Sequence, residues 1–131
     1  MIYKEEHKNM YLGKKALVGD YFKFSYFNTI NVLKFLGFEV TLEKAYYNMK
    51  DRIQNKEPFD IIFSNNIYQV GKSGPDLVKF AKSIEGFNIP IIVHTISKNT
   101  HNIFIEHHRF DGYIEKPLTT DKVVSVIKDL I

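Results

Sequence analysis

A polar side chain that leaves the end of a buried strand is placed to do chemistry, and one such position in this chain carries Asn65. The run Phe59-Asp60-Ile61-Ile62-Phe63-Ser64-Asn65 sets three consecutive large apolar residues between Asp60 and the polar exit at Ser64, the pattern of a strand buried on both faces. Such strands belong to parallel sheets, whose carboxyl ends carry the chemistry of the fold. An amide there neither accepts a phosphoryl group durably nor supplies negative charge to a metal ion. The neighbours do not substitute for it. Asp60 lies five positions earlier, about 16 Å away at the usual strand rise. Ser64 has the opposite side-chain parity, and Asn66 is neutral.

The other reactive side chains give no site by spacing alone. The chain has no cysteine, which excludes disulfides, thiolate zinc sites and cysteine nucleophiles. His101, His107 and His108 fall on or near one helical segment and His94 ends a strand. Spacings of 6 and 1 do not bring three ligands to one helical face, so they read as surface histidines. The clusters Tyr46-Tyr47 and Phe22/Phe24/Tyr26/Phe27 read as core and helix surface, because a base-stacking platform would sit on strands.

The elements that must position these residues are legible as alternation. A charged lead over residues 1–13 is followed by the apolar runs Ala16 to Val18, Phe38 to Val40, Phe59 to Phe63, Ile89 to Val93 and Gly112 to Ile114. Between them lie helix-period stretches. Phe22, Tyr26, Ile30 and Leu33 predict one stripe, ended by Gly37. Leu77, Phe80, Ala81 and Ile84 predict a second, opened by Pro75. Val123, Val126, Ile127 and Leu130 predict the last, with Thr119 or Thr120 as N-cap. The stretches Lys44 to Asn55 and Asn99 to Phe110 are weaker helices. Strand-helix alternation repeated five times predicts one domain over residues 14–131, an open parallel sheet with helices on both faces.

In this order the pieces Lys15-Ala16-Leu17-Val18-Gly19-Asp20-Tyr21, Phe59 to Asn65, Gly74-Pro75-Asp76-Leu77, Ile89-Pro90-Ile91-Ile92-Val93-His94-Thr95 and Gly112-Tyr113-Ile114-Glu115-Lys116-Pro117-Leu118 resemble the receiver domain of two-component response regulators. The resemblance implies a flavodoxin-like, doubly wound α/β fold: a five-stranded parallel sheet in the order 2-1-3-4-5 with helices on both faces. Carried over residue by residue, the family's acid pair falls on Gly19 and Asp20, so one acid is missing. The phosphoacceptor position falls on Asn65, the phosphate-contacting hydroxyl on Thr95, the switch aromatic on Tyr113 and the phosphate-contacting lysine on Lys116. The resemblance also implies a cis bond at Lys116-Pro117. The family's Met-Pro step corresponds to Tyr68-Gln69, and Ser73-Gly74 arrives one residue late, which predicts an altered loop. Leu12-Gly13-Lys14-Lys15 resembles the join before receivers fused to sensor histidine kinases.

These departures set the expected function. With Asp20 as the residual acid and Lys116 beside it, the site charge is near zero, so Mg²⁺ binding is expected to be weak or lost and no cofactor is expected. Asp20 is expected to cap the following turn or pair with Lys116. The expectation is a degenerate, non-enzymatic receiver acting in two-component signalling by protein contact. Its partners would be a histidine kinase or output domain, including one in a longer parent chain. The contact face would be the fourth helix, fifth strand and fifth helix, which would also carry any homodimer. The alternative on the same topology is a small flavodoxin-like or phosphatase-like enzyme. Against it, Asp20-Tyr21-Phe22-Lys23-Phe24 is bulky where a flavin phosphate loop would be small, and no D-x-D follows a strand. A net charge of +3 from scattered lysines argues against nucleic-acid binding. No run of about 18 apolar residues predicts a membrane span, and a cytoplasmic setting is expected.

Overall fold

The apolar runs become adjacent strands, and the stretches between them pack on one side or the other of a single sheet. The computed structural model describes residues 1–68, 72–96 and 103–131. The strands are β1 (Lys15–Gly19), β2 (Glu39–Glu43), β3 (Ile61–Asn65), β4 (Ile91–Thr95) and β5 (Gly112–Glu115). All pair in parallel, in the order β2-β1-β3-β4-β5. The winding reverses between β1 and β3, which opens a crevice at their carboxyl ends.

Strand parity divides the core. Ala16, Val18, Ile61, Phe63, Ile92 and Ile114 face helices α1 (Lys23–Phe35) and α4 (Thr120–Ile127), meeting Val32, Leu33, Val123 and Ile127. Leu17, Ile62, Ile91 and Val93 face α2 (Tyr46–Gln54) and α3 (Gly74–Lys82), meeting Met49, Ile53, Leu77 and Ala81. Two dry layers on one sheet supply the dominant stabilisation.

Local chemistry fixes the helix starts. Ser73 caps α3 by accepting from the Asp76 N–H, with the reciprocal bond from its own N–H to the Asp76 carboxylate. Thr119 caps α4 by accepting from the Lys122 N–H at 3.2 Å. In α1 the buried stripe is Thr29, Val32 and Leu33, not the stripe through Phe22. Phe22 precedes the helix and is 57% exposed. The first turns of α1 point aromatics in several directions, interleaved with Lys23, Ser25 and Asn28, so periodicity there does not select a face; the sheet selects it through Val32, Leu33 and Leu36.

The stretch Asn99 to Phe110 departs most from expectation. Residues 99–102 lie outside the described residues, and Ile103–His107 form a single π-helical turn rather than an α-helix. Its His108 N–H bonds Ile103 O at 3.1 Å, and Arg109 follows at φ +61°. Gln69, in the altered loop, also lies outside the described residues. The charged lead over residues 1–13 packs on the body through a 3₁₀ turn at Glu5–His7. Lys4 N–H bonds Thr120 Oγ1 at 3.0 Å, Tyr11 N–H bonds Leu36 O at 2.8 Å, and the Tyr11 ring stacks on Phe38. Among the described residues, no helix is long and apolar enough to cross a membrane.

Candidate functional site

The carboxyl ends of β1, β3 and β5 deliver Asp20, Asn65 and Lys116 to one point of the crevice. Asp20 is fully buried, and both of its oxygens are occupied. Oδ1 accepts from the Phe22 N–H at 3.1 Å and faces Asn65 Nδ2 at 3.4 Å. Oδ2 accepts from Ser25 Oγ at 2.6 Å and from Lys116 Nζ at 3.1 Å. Lys116 Nζ also donates to Asn65 Oδ1 at 3.3 Å. The Asn65 side-chain carbonyl additionally accepts from the Asn66 N–H at 3.1 Å. The arrangement is one buried carboxylate, one ammonium and one amide, each spent on the others. A charge pair this deeply buried is tolerable because hydrogen bonds satisfy the remaining lone pairs.

Behind this triad sits a second group whose side chains the sequence does not single out. Tyr68 is buried, and its hydroxyl lies 2.9 Å from Ser64 Oγ. Burial, with Asp20 nearby, raises the Tyr68 pKa, so its hydroxyl stays neutral. That hydroxyl fills the space where a side chain at position 19 would begin: a Cβ on Gly19 would overlap Tyr68 Oη and come within 2.8 Å of Met49 Cε. The glycine at the end of β1 and the tyrosine are therefore one feature. The signal in the sequence is the pair itself, a glycine after β1 and a bulky residue three positions after the β3 exit.

His94 lies on β4 beside Asn65 in the ladder. It is fully buried, with Nε2 3.3 Å from the Gly19 carbonyl oxygen, while Nδ1 has no partner among the described residues. Burial, reinforced by the Lys116 charge, lowers its pKa to about 4. His94 is thus a neutral core group next to the triad and not the surface histidine its spacing predicts, because β4 is covered on both faces.

The remaining predicted positions lie around the triad on β4 and β5. Thr95 is buried at the end of β4, and its carbonyl accepts from the Lys116 N–H at 2.8 Å. The Lys116–Pro117 peptide is cis. Tyr113 is half-buried on β5 and stacks on Phe104 with ring centres 5.8 Å apart. Asp60 sits at the opposite edge, where its carboxylate accepts from the Lys15 N–H at 2.8 Å. Among the described residues, no three His, Cys, Asp or Glu side chains gather as a cation site. Beside the triad, Phe22, Phe24, Ile96 and Pro117 line an apolar groove of about 260 Å³.

No family model matches the chain, and no curated protein does. Solved structures do match. The receiver domain of a sensor histidine kinase from Pseudomonas aeruginosa, with a magnesium ion coordinated in its active-site cleft, superposes with a TM-score of 0.79 at 17% identity, covering 90% of this chain and 97% of that one. A putative response regulator from Chloroflexus aurantiacus gives 0.79 at 19% identity, covering 89% and 96%. The receiver domain of a Francisella response regulator gives 0.73 at 22% identity, covering 90% and 96%. The fold is therefore the receiver fold, in the flavodoxin-like order, over nearly the whole of each neighbour.

Proposed function

We propose that this domain is a receiver-like signalling module that has lost aspartyl phosphorylation and works through protein contact. The observation that carries the reading is Asn65 in the acceptor position, held by Lys116 and facing Asp20. The amide offers no carboxylate nucleophile for acyl phosphate formation. The residues present do not fit Mg²⁺. Asp20 is the sole carboxylate in the triad, its oxygens already accept from Phe22, Ser25 and Lys116, and Tyr68 fills the space of a second acid. Lys116 takes the part of the cation, neutralising Asp20 from within the chain. We assign no reaction to the domain itself. Its partners are a histidine kinase or an output domain, including one in a longer parent chain, and its setting is cytoplasmic.

Two surfaces flank the triad for such contact. On the π turn and β5, Ile105 and Tyr113 pack against the core and Ile103 is the exposed apolar side chain. On α1 and the end of β4, Phe22, Phe24, Phe27 and Ile96 are all exposed. Ile103→Glu and Phe24→Glu therefore separate the two faces without cutting into the core, as Ile105→Glu would.

The test is incubation with acetyl phosphate and Mg²⁺, read by intact mass. No added phosphoryl group is expected; a hydroxylamine-labile adduct on any carboxylate would overturn the reading. No observation favours the enzyme alternative, since β1 is followed by Tyr21, Phe22 and Phe24 instead of a small-residue phosphate loop. A yellow purified protein would favour it.

A further inference from the structure

Away from the triad, a cleft of about 660 Å³ lies between α3 and the turn after the π helix, lined among others by Lys79, Lys82, His107, His108 and Arg109. We propose that this cleft binds a small molecule carrying a phosphate chain of two or more groups. The proposal goes beyond the signalling reading and does not depend on it.

Three cations, Lys79, Lys82 and Arg109, meet two carboxylates there, Asp76 in the lining and Asp111 beside Lys82. Lys79 and Lys82 sit three apart on α3 and so share a face. Among the described residues, no hydrogen bond or ion pair engages Lys79 or Arg109, and Lys82 meets Asp111 only at a long 3.5 Å between exposed groups. The two carboxylates nearby are committed to backbone. Asp76 accepts from the Ser73 N–H at 3.0 Å, and Asp111 accepts from the Ile91 N–H at 2.8 Å. Like charges lining one concavity repel unless an anion sits between them. Three cations against two carboxylates leave the cleft net positive, and a phosphate chain can reach several of the cations at once where a single phosphate group reaches fewer.

The residue types suit that chemistry. A guanidinium offers a planar fork to phosphate oxygens, and lysines act as movable point charges. Arg109 holds φ +61°, a left-handed conformation in which an arginine side chain is disfavoured relative to glycine. A strained backbone carrying an unpaired guanidinium into a cleft is the kind of outlier found at ligand clamps. The size also matches, since small-molecule sites run from about 300 to 1,000 Å³. A nucleic-acid strand would need a basic track beyond the cleft, and the chain's excess of basic over acidic residues is only 3.

Calorimetric titration of the intact chain with tripolyphosphate and, separately, ATP in metal-free buffer tests this. Saturable one-site binding of both is expected, with Lys79→Ala, Lys82→Ala and Arg109→Gly each weakening it roughly fivefold or more. Arg109→Gly relieves the backbone while removing the charge, so loss of binding in that variant with an unchanged or raised melting temperature separates a ligand role from a folding role. Lys34→Ala, on α1, should leave binding unchanged. Absence of saturable binding to either probe overturns the proposal, and so does equal weakening by Lys34→Ala. Tighter binding of a single-stranded oligonucleotide than of ATP, lost in the same variants, also overturns it.

Discussion

The crevice at the ends of β1, β3 and β5 and the cleft beside α3 both gather ionisable groups and treat them in opposite ways. In the crevice, Asp20 and Lys116 are buried together at 3.1 Å with side-chain exposures of 0% and 10%, and every oxygen of the carboxylate is used. In the cleft, Lys79 and Arg109 are unpaired among the described residues and open to solvent. A charge taken out of water must find its partner inside the chain, because desolvation costs several kcal/mol per ion. A charge left in water has no such need. The first arrangement is closed to a ligand, and the second is available to one.

The largest effect should come from forcing the crevice back toward two acids. Gly19→Asp drives a carboxylate into the space of the Tyr68 hydroxyl and Met49 Cε, adding overpacking to an unpaired buried charge, about 4 kcal/mol or more in sum. Denaturant unfolding should find the variant largely unfolded, and adding Tyr68→Ala should recover a folded protein. Equal instability with and without Tyr68→Ala breaks the claim that tyrosine and glycine are one feature. Mg²⁺ binding then requires Gly19→Asp, Tyr68→Ala and Asn65→Asp together.

Next in size is removal of the internal cation. Lys116→Met leaves Asp20 buried without its counter-charge and should cost about 3 kcal/mol, with most of it regained by adding Asp20→Asn. Lys79→Ala in the cleft should leave the unfolding midpoint within error of the parent. Similar losses at Lys116 and Lys79 remove the contrast between the two regions.

The smallest effect is the most diagnostic of burial. His94 ordinarily titrates near 6.5 and is pushed to about 4 in the fold. The unfolded chain therefore takes up the proton first as pH falls. The stability from neutral His94 is complete above pH 6.5 and drains away between 6.5 and 4, by about 2 kcal/mol at pH 5 and about 3 kcal/mol in full. His94→Gln should remove this component from a pH series of denaturant midpoints. A series identical to the parent's would place the acid sensitivity elsewhere.

The strand positions follow closely from short apolar runs bounded by turn residues and too short for helices, whereas the sheet order is what the resemblance to receiver domains implies and no run of residues carries it. Asn65 is legible for the same reason, as the polar exit of a buried run, while Asp20 and Lys116 are singled out by the resemblance. The face of α1 is not legible, since Phe22, Phe24, Tyr26 and Phe27 point in several directions between Lys23, Ser25 and Asn28. Neither is the π turn at Ile103–His107, where local propensity is weak and contacts of Phe104 and Phe110 with the α3 side of the sheet decide the backbone.

That an amide leaves β3 and a glycine ends β1 are statements of residue type at the end of a strand, and the chain's amino acids carry them in full. Packing in three dimensions is what sets Tyr68 in the space a side chain at position 19 would take, brings Lys116 to Asp20 across 96 positions of chain, and turns α3 and the bend at Arg109 toward a common cleft. Each of these brings together side chains distant in the chain. Their meeting is fixed by sheet register and by how each helix settles on its layer, quantities that a local pattern of apolar and polar residues does not contain.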